Sequence, residues 1–186
     1  MATRVRLFIS AGPDQEPTRE LLGRALAEMP VNIGWFIKRT PDVDSVAECH
    51  LFALLLGSDI WAPVGLELWW AKRTEKPVLA YRSGVLRTPA AQAFLQANAF
   101  LEWTRFADME QLRRAFLVDI SRFLVQHADR YGLTLLEGQI LKDYLATLDA
   151  QSRTTVPAKS TGAAGGGVIL APGKDEPAGA RIIGES

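Results

Sequence analysis

Residues 51–81 read LFALLLGSDIWAPVGLELWWAKRTEKPVLAY and contain the pattern that decides the fold. The unbroken apolar run Leu51–Leu56, ended by Gly57, is typical of a central strand that is buried on both faces. Residues 66–72 predict a helix, and residues 77–81 predict a second buried strand. A strand, a helix and a strand in succession indicate a parallel βαβ unit.

The same alternation of strands and helices continues on both sides of this stretch. Runs of β-branched and aromatic residues predict three more strands, at residues 4–10, 33–37 and 100–103. Apolar residues at helical spacing predict four more helices, at residues 18–29, 88–97, 109–128 and 133–148, and a short helical piece follows a turn at 40–44. We therefore expect an α/β fold, with an open parallel sheet of about five strands and helices on both faces.

The composition changes along the chain and predicts three regions. We expect an α/β domain over residues 1–106, a C-terminal helical extension over residues 107–149 and a glycine-rich tail over residues 150–186. The tail contains seven of the 15 glycines and no aromatic residue. Because so little apolar surface cannot offset the entropy lost on ordering, we expect the tail to be disordered.

The overall charge and hydropathy exclude several classes of protein. The chain has 21 basic and 21 acidic side chains, which argues against nucleic-acid binding because that needs a basic face. No run reaches the ~18 apolar residues needed to cross a bilayer, and no signal peptide is visible. We therefore expect a cytoplasmic protein without a nucleic-acid or membrane partner.

The single cysteine, Cys49, excludes an intramolecular disulfide. Together with His50 and His127 it supplies too few ligands for a Cys/His zinc site, so we expect no bound metal. If Cys49 and His50 are neighbours on a strand, their side chains point to opposite faces. This favours a structural role over a nucleophile and its base.

The segment that follows Leu51–Leu56 contains the candidate site. Open parallel sheets bind ligands beyond the carboxyl ends of their strands, where this chain has Gly57, Ser58 and Asp59. Glu67 falls in the first or second turn of the next helix, whose N-terminus favours an ionised carboxylate. A carboxylate at this place suits cleavage of a glycosidic bond, because it can stabilise or attack an electron-poor sugar carbon. The same dipole makes acidic residues common at the start of any helix, so this alternative stays open.

In the catalytic hypothesis, Ser58 and Asp59 hold the ribose hydroxyls of the ligand. Ser10 and Gly12, which end the first predicted strand, would hold the edge of a phosphate through backbone N–H groups. The same stretch is also typical of a plain turn, which stays an alternative.

One resemblance bears directly on Glu67. The pattern Gly65-x-Glu67-x-x-x-Ala71, followed by Lys76-Pro77-Val78, resembles the core of the nucleoside 2-deoxyribosyltransferase family. This resemblance implies that Glu67 is the catalytic nucleophile.

The chain also resembles TIR domains, through Leu7-Phe-Ile-Ser10 and Glu67-Leu68. It is most similar to the TIR-like domain of unknown function at the N-terminus of bacterial signalling and conflict ATPases, through FISAGPDQE (8–16), LLGS (55–58) and GLEL (65–68). The resemblance covers about residues 4–82. It implies a flavodoxin-like sheet, a glutamate that cleaves NAD in some members, and Trp61 as part of the ligand site.

Two functions follow from these patterns. The first is a TIR-like signalling or assembly module, as in bacterial defence, which binds a nucleotide or a protein partner. It would form a homo-oligomer or larger assembly through residues 133–148 and Trp69 and Trp70. The alternative is an N-glycosidase or a deoxyribosyltransferase-like enzyme that acts on NAD or nucleosides through Glu67. We expect no cofactor in either case, with NAD or a nucleoside serving as substrate or ligand.

Overall fold

The computed structural model describes residues 5–38 and 43–154. Five parallel strands form one sheet in the order β2-β1-β3-β4-β5. The strands are β1 (Val5–Ala11), β2 (Trp35–Lys38), β3 (Leu51–Leu56), β4 (Val78–Ser83) and β5 (Trp103–Phe106). This is the flavodoxin-like strand order. It confirms the expected open parallel sheet.

In the described residues, six α-helices cover the two faces of the sheet, and a short 3-10 helix at Pro13–Gln15 precedes the first of them. They are α1 (Glu16–Ala27), α2 (Val43–Glu48), α3 (Ala62–Arg73), α4 (Pro89–Ala97), α5 (Met109–Gln126) and α6 (Leu135–Thr154). Among the described residues, no helix is long and apolar enough to span a membrane.

The central strand β3 separates two apolar cores. All six of its residues are buried, as its unbroken apolar run predicts. Its odd-numbered residues pack in the core that α1, α5 and α6 complete, whereas Phe52 and Leu54 pack in the core under α2 and α3. The sheet therefore has one face under α1, α5 and α6 and the opposite face under α2 and α3.

The apolar stripe of α6 is used within the chain. Leu141 and Leu148 are buried in the same core as Phe116 of α5. At the start of this stripe, Leu135 and Leu136 are 97% and 70% exposed. Association through residues 133–148 stays a prediction, and these two leucines are its most exposed apolar side chains.

Two elements begin three or more residues away from the predicted position, and the others begin within two residues of it. The fifth strand begins at Trp103 rather than at residue 100, because a turn follows α4. In that turn the Leu101 N–H donates to the Asn98 carbonyl, and the Trp103 indole N–H donates to the same oxygen. Helix α3 begins at Ala62 rather than at residue 66. Its first turn contains Pro63. Proline has no N–H group, but the N–H groups of a first helical turn have no intrahelical acceptor, so none is lost.

Parts of the predicted organisation lie outside the described residues. The predicted turn at 40–44 falls mostly there, and so does most of the predicted tail. Helix α6 extends to Thr154 and so includes the first residues of the region predicted as tail.

Candidate functional site

The candidate site lies at the carboxyl edge of the sheet, where β1 and β3 are neighbours. The chain leaves β1 towards β2 on one side and leaves β3 towards β4 on the other. Ligands of open α/β sheets bind in the crevice at such a reversal of strand order. Ser10 lies near the end of β1, opposite Leu54 of β3, and therefore borders this crevice.

Glu67 reaches the crevice from the inner face of α3. It shares that buried face with Val64, Leu68 and Ala71, and its own exposure is only 5%. The Ser10 hydroxyl donates a hydrogen bond of 2.5 Å to Glu67 Oε2. Glu67 Oε1 takes no hydrogen bond from any residue of the described chain. Within the part of the chain that the structure describes, one carboxylate oxygen is thus held in place and the other has no donor.

Burial controls the protonation of Glu67. Removal from water raises the pKa of this carboxyl above its ordinary value, and the Ser10 hydrogen bond and the positive charge of Arg19 only partly lower it. Glu67 is the sixth residue of α3, beyond the four residues whose N–H groups lack an intrahelical partner. Glu67 therefore lies in the second turn, as predicted, and desolvation is the largest cause of its raised pKa. That the helix N-terminus favours the ionised carboxylate stays a prediction.

A second carboxylate, that of Asp14, brings Gly12, Gly57 and Ser58 together. The Ser58 N–H and hydroxyl donate to Asp14 Oδ2 at 2.9 and 3.2 Å. A Cβ on Gly57 would lie 2.0 Å from Asp14 Oδ2 and 2.3 Å from Gln15 Nε2. On Gly12 it would lie 2.9 Å from Asp14 Oδ1. The negative charge of Asp14 disfavours a phosphate at the place where the sequence suggests one.

Asp59 ties the loop after β3 to the loop after β4. Its Oδ1 accepts hydrogen bonds from the Thr88 hydroxyl at 2.6 Å and from the Ile60 N–H at 2.8 Å. These bonds lower the pKa of Asp59, so this exposed carboxyl is ionised. The Thr88 N–H also donates to the Ser58 carbonyl, and its hydroxyl caps α4 by accepting from the Ala91 N–H. Thr88 thus links the loop after β4 to the loop after β3 through two hydrogen bonds.

Trp61 stands at the start of α3 as its N-cap residue and is 46% exposed. Of the two tryptophans later in the helix, Trp69 is 50% exposed, whereas Trp70 packs against the core under α3. Of these two adjacent rings, Trp70 therefore contributes to the core and Trp69 faces outward.

Sequence reasoning misses three residues that hold the site together. Asp14 binds Ser58, Thr88 binds Asp59, and the positive charge of Arg19 acts on Glu67, although each lies far along the sequence from its partner. A usable signal for Asp14 is its place in the acidic loop directly after Ser10, on the β1 side of the expected crevice.

The Cys49–His50 pair is structural, although it lies between α2 and β3 rather than on a strand as predicted. Burial raises the pKa of the Cys49 thiol to about 11, which leaves it protonated and unreactive. The His50 Nδ1 accepts from the Arg6 N–H at 3.1 Å, and burial lowers the pKa of this imidazole. Within residues 5–38 and 43–154, no group of three or more His, Cys, Asp or Glu side chains could hold a metal ion.

A cavity of about 350 Å³ lies apart from these residues, beside β5, α5 and α6. Both acidic lining residues lie close to Arg122, which is 4.0 Å from Asp119 and 3.7 Å from Asp149. Asp119 also accepts a hydrogen bond of 2.7 Å from the buried Tyr81 hydroxyl. These contacts connect α6 to α5, and α5 to the sheet.

The raised pKa of Glu67 predicts a pH-dependent stability. The folded state binds this proton more tightly than the unfolded state does, so the contribution of Glu67 to the free energy of unfolding is largest at low pH. That contribution is lost as the pH rises from about 4 through the folded-state pKa. We expect the Tm of Glu67→Gln, relative to that of the wild type, to increase with pH over this window.

Glu137→Gln is the matched control, because the pKa of Glu137 is lowered in the folded state, whereas that of Glu67 is raised. The Thr134 N–H and hydroxyl donate to Glu137 and lower its pKa. Its contribution is therefore present above the unfolded-state pKa and lost as the pH falls. The Tm of Glu137→Gln should drop relative to that of the wild type as the pH rises. Parallel curves for both variants would contradict the assignment.

A pair of glycine substitutions tests the Asp14 contact. Gly57→Ala must displace Asp14 from Ser58, and we expect it to lower the free energy of unfolding by about 1–3 kcal/mol. Gly138→Ala, in α6 with nothing within 4 Å of its Cβ, should raise it by about 0.5–1 kcal/mol. Urea denaturation measures both, and equal stability of the two variants would contradict this packing.

No protein-family model and no curated protein matches the sequence. Among solved structures, the chain is similar to a Clostridium botulinum CMP N-glycosidase, BcmB, at a TM-score of 0.44 and 19% identity. The match covers 59% of this chain and 96% of that chain. So low a similarity says nothing about the activity of this chain.

Proposed function

We propose that the chain cleaves the N-glycosidic bond of a nucleoside, a nucleotide or NAD, by hydrolysis or by transfer, with Glu67 as the nucleophile. The observation that carries the proposal is the buried Glu67 carboxylate at the crevice between β1 and β3, held through one oxygen by Ser10. An ionisable group with a shifted pKa at the ligand edge of an open α/β sheet is a candidate for catalysis.

The chemistry follows from the state of the two carboxylate oxygens. Glu67 Oε1, which takes no hydrogen bond from the described residues, attacks the anomeric carbon while the bond from that carbon to the base nitrogen breaks. The bonding electron pair leaves with the base. Nicotinamide leaves NAD as a neutral molecule, whereas the base of a nucleoside or nucleotide leaves as an anion and takes a proton from water. The glycosyl ester formed on Glu67 is then cleaved by water or by a second base. This second attack, also at the anomeric carbon, breaks the bond from that carbon to Glu67 Oε1 and restores the free carboxylate.

Burial supports this role, because the transition state resembles an oxocarbenium ion. A carboxylate in a poorly hydrated site attracts that positive charge more strongly than a carboxylate in water does. The Ser10 hydroxyl favours the ionised form of Glu67 and fixes its orientation.

The neighbouring loops offer contacts for the rest of the substrate. The ionised Asp59 carboxylate can accept hydrogen bonds from ribose hydroxyls, and the half-exposed Trp61 ring can stack on a base. Ser58, already bound to Asp14, keeps its hydroxyl oxygen as an acceptor.

The activity test is release of free base from NAD, nucleosides and nucleoside 5′-monophosphates, followed by chromatography. We expect Glu67→Gln to lower kcat/KM on the order of a thousandfold, because the nucleophile is lost. Ser10→Ala should lower it roughly tenfold or more, through loss of a hydrogen bond to a charged group. The control Glu102→Gln changes an exposed glutamate away from the crevice and should leave the rate unchanged. Equal rates for wild type and Glu67→Gln, or no base release from any substrate, would overturn the proposal.

A second function, association with another copy of this chain, is favoured by the outer face of α3. Leu66 and Trp69, one helical turn apart, are 51% and 50% exposed. Exposed tryptophans beside aliphatic residues are enriched at protein interfaces.

Sedimentation at rising protein concentration tests this second function. Wild type should form dimers or larger species, and Trp69→Ala should weaken association by about tenfold or more. Phe36→Ala is the control, because Phe36 is 49% exposed on the edge strand β2. A wild-type monomer at all concentrations would refute self-association.

A further inference from the structure

Three arginines meet at the carboxyl edge of the sheet, outside the residues discussed above. Arg82 of β4 and Arg105 of β5 are direct partners in the parallel register. Arg87 follows in the loop after β4, where its guanidinium donates to the Ser83 carbonyl. A Cβ on Gly84 of the same loop would lie 3.6 Å from Arg105 Nη2, so the loop packs beside that side chain.

The alternation of side chains along β4 places Arg82 on the same face of the sheet as Glu67. Tyr81 packs in the core with α5, so its neighbour Arg82 belongs to the opposite face, which α3 covers. Ser10 lies opposite Leu54, and Leu54 lies opposite Ala80, two residues before Arg82. Two strand spacings and two residues correspond to roughly 12 Å between the Ser10 and Arg82 Cα atoms.

No carboxylate of residues 5–38 and 43–154 forms an ion pair with any of these three arginines. Other arginines, such as Arg6 and Arg113, form ion pairs with glutamates, but none of the three does so with any residue of the described segments. The Nε atoms of Arg82 and Arg87 are buried and have no hydrogen-bond partner. Burial, followed by the charges of Arg82 and Arg105, lowers the pKa of Arg87. Like charges held this close without a counter-charge are unfavourable, so the cluster is incomplete without an anion.

We propose that Arg82, Arg87 and Arg105 bind the phosphoryl group of a nucleotide. Guanidinium groups bind phosphate through paired hydrogen bonds of fixed geometry, which a cluster of three can supply from several sides. The Ser83 carbonyl fixes Arg87 before any ligand arrives.

The distance between the arginine cluster and Glu67 suits a single nucleotide. A ribose beside Glu67 and a 5′-phosphate at Arg82 would span the edge from β1 to β4, a distance that a sugar phosphate and an arginine side chain together can cover. Asp14 repels a phosphate at the β1 end of the crevice, which directs it towards the arginines. The anion site stands on its own contacts, but its reading as the substrate phosphate rests on the proposed function of Glu67.

Binding is measured by calorimetry at constant ionic strength, with inorganic phosphate, adenosine, cytidine and their 5′-monophosphates as titrants. The Glu67→Gln protein is used so that no ligand is consumed. We expect each monophosphate to bind about tenfold or more tightly than its nucleoside. Arg105→Ala should remove most of that difference, whereas Arg105→Lys should keep part of it, because lysine keeps the charge but not the paired geometry.

Arg24→Ala is the matched control, because Arg24 lies on α1 with its side chain 75% exposed and is paired with Glu20. It should change the affinity by less than about twofold. Melting curves verify that each variant is folded. Equal affinity for nucleoside and monophosphate, no binding of any phosphate ligand at millimolar concentration, or the same loss in Arg24→Ala would overturn the site. Tighter binding of a short oligonucleotide than of the mononucleotide would also overturn it and would identify a nucleic-acid surface.

These results separate the two proposals. Phosphate binding at the arginines, with no base release by the wild-type protein, would keep the anion site and refute the glycosidase. Equal kcat/KM for nucleosides and their monophosphates would keep the glycosidase and refute the arginines as a substrate subsite.

Discussion

The hydrogen bond between Ser10 and Glu67 is the interaction on which the rest of the site depends. A carboxylate taken out of water costs several kcal/mol unless hydrogen bonds or opposite charges offset the loss. At Glu67 the Ser10 hydroxyl and the charge of Arg19 offset only part of it, so the pKa of the carboxyl stays raised. The fold thus keeps a buried carboxylate at the carboxyl edge of the sheet, with one of its oxygens held by Ser10.

The topology explains why Ser10 and Glu67 meet. Because β1 and β3 are neighbours although β2 lies between them in sequence, the ends of two distant segments share one crevice. Asp14, in the loop after β1, binds Ser58 in the loop after β3. Asp59 of that second loop binds Thr88 at the start of α4. Three loops are thus connected by short polar contacts around the buried carboxylate. The same edge continues into β4 and β5, where Arg82 and Arg105 supply positive charge. One edge of the sheet therefore carries a negative group at one end and a positive cluster at the other.

Much of the fold can be predicted from local sequence, because local patterns decide it. The apolar run of β3 has the bounds that the sequence predicts, and the alternation of strands and helices predicts a parallel sheet. Glu67 and Ser10 can also be selected, since Ser10 lies near the end of β1 and Glu67 lies in the helix that follows β3. The predicted bounds differ from the observed ones where a turn or a proline decides them. A turn at Asn98 delays the start of β5, and α3 begins before Pro63 rather than after it.

The remaining features depend on contacts between residues that are distant in sequence. The ionisation of Glu67 is controlled by burial, which a helix pattern does not reveal. Arg82 and Arg105 become neighbours only through the register of β4 and β5, and Asp14 meets Gly57 only when β1 pairs with β3. The apolar stripe of α6 could pack within the chain or against another copy, and only the structure places Leu141 and Leu148 in the chain's own core.

Trapping of the glycosyl ester tests the central claim most directly. A 2′-fluoro nucleotide, whose electron-withdrawing fluorine slows formation and breakdown of the oxocarbenium-like state, is incubated with the wild-type protein. Peptide mapping by mass spectrometry then locates any sugar adduct. If Glu67 is the nucleophile, the adduct lies on Glu67 and is absent from Glu67→Gln. Release of the base without an adduct on Glu67, or with an adduct on another residue, would contradict the account.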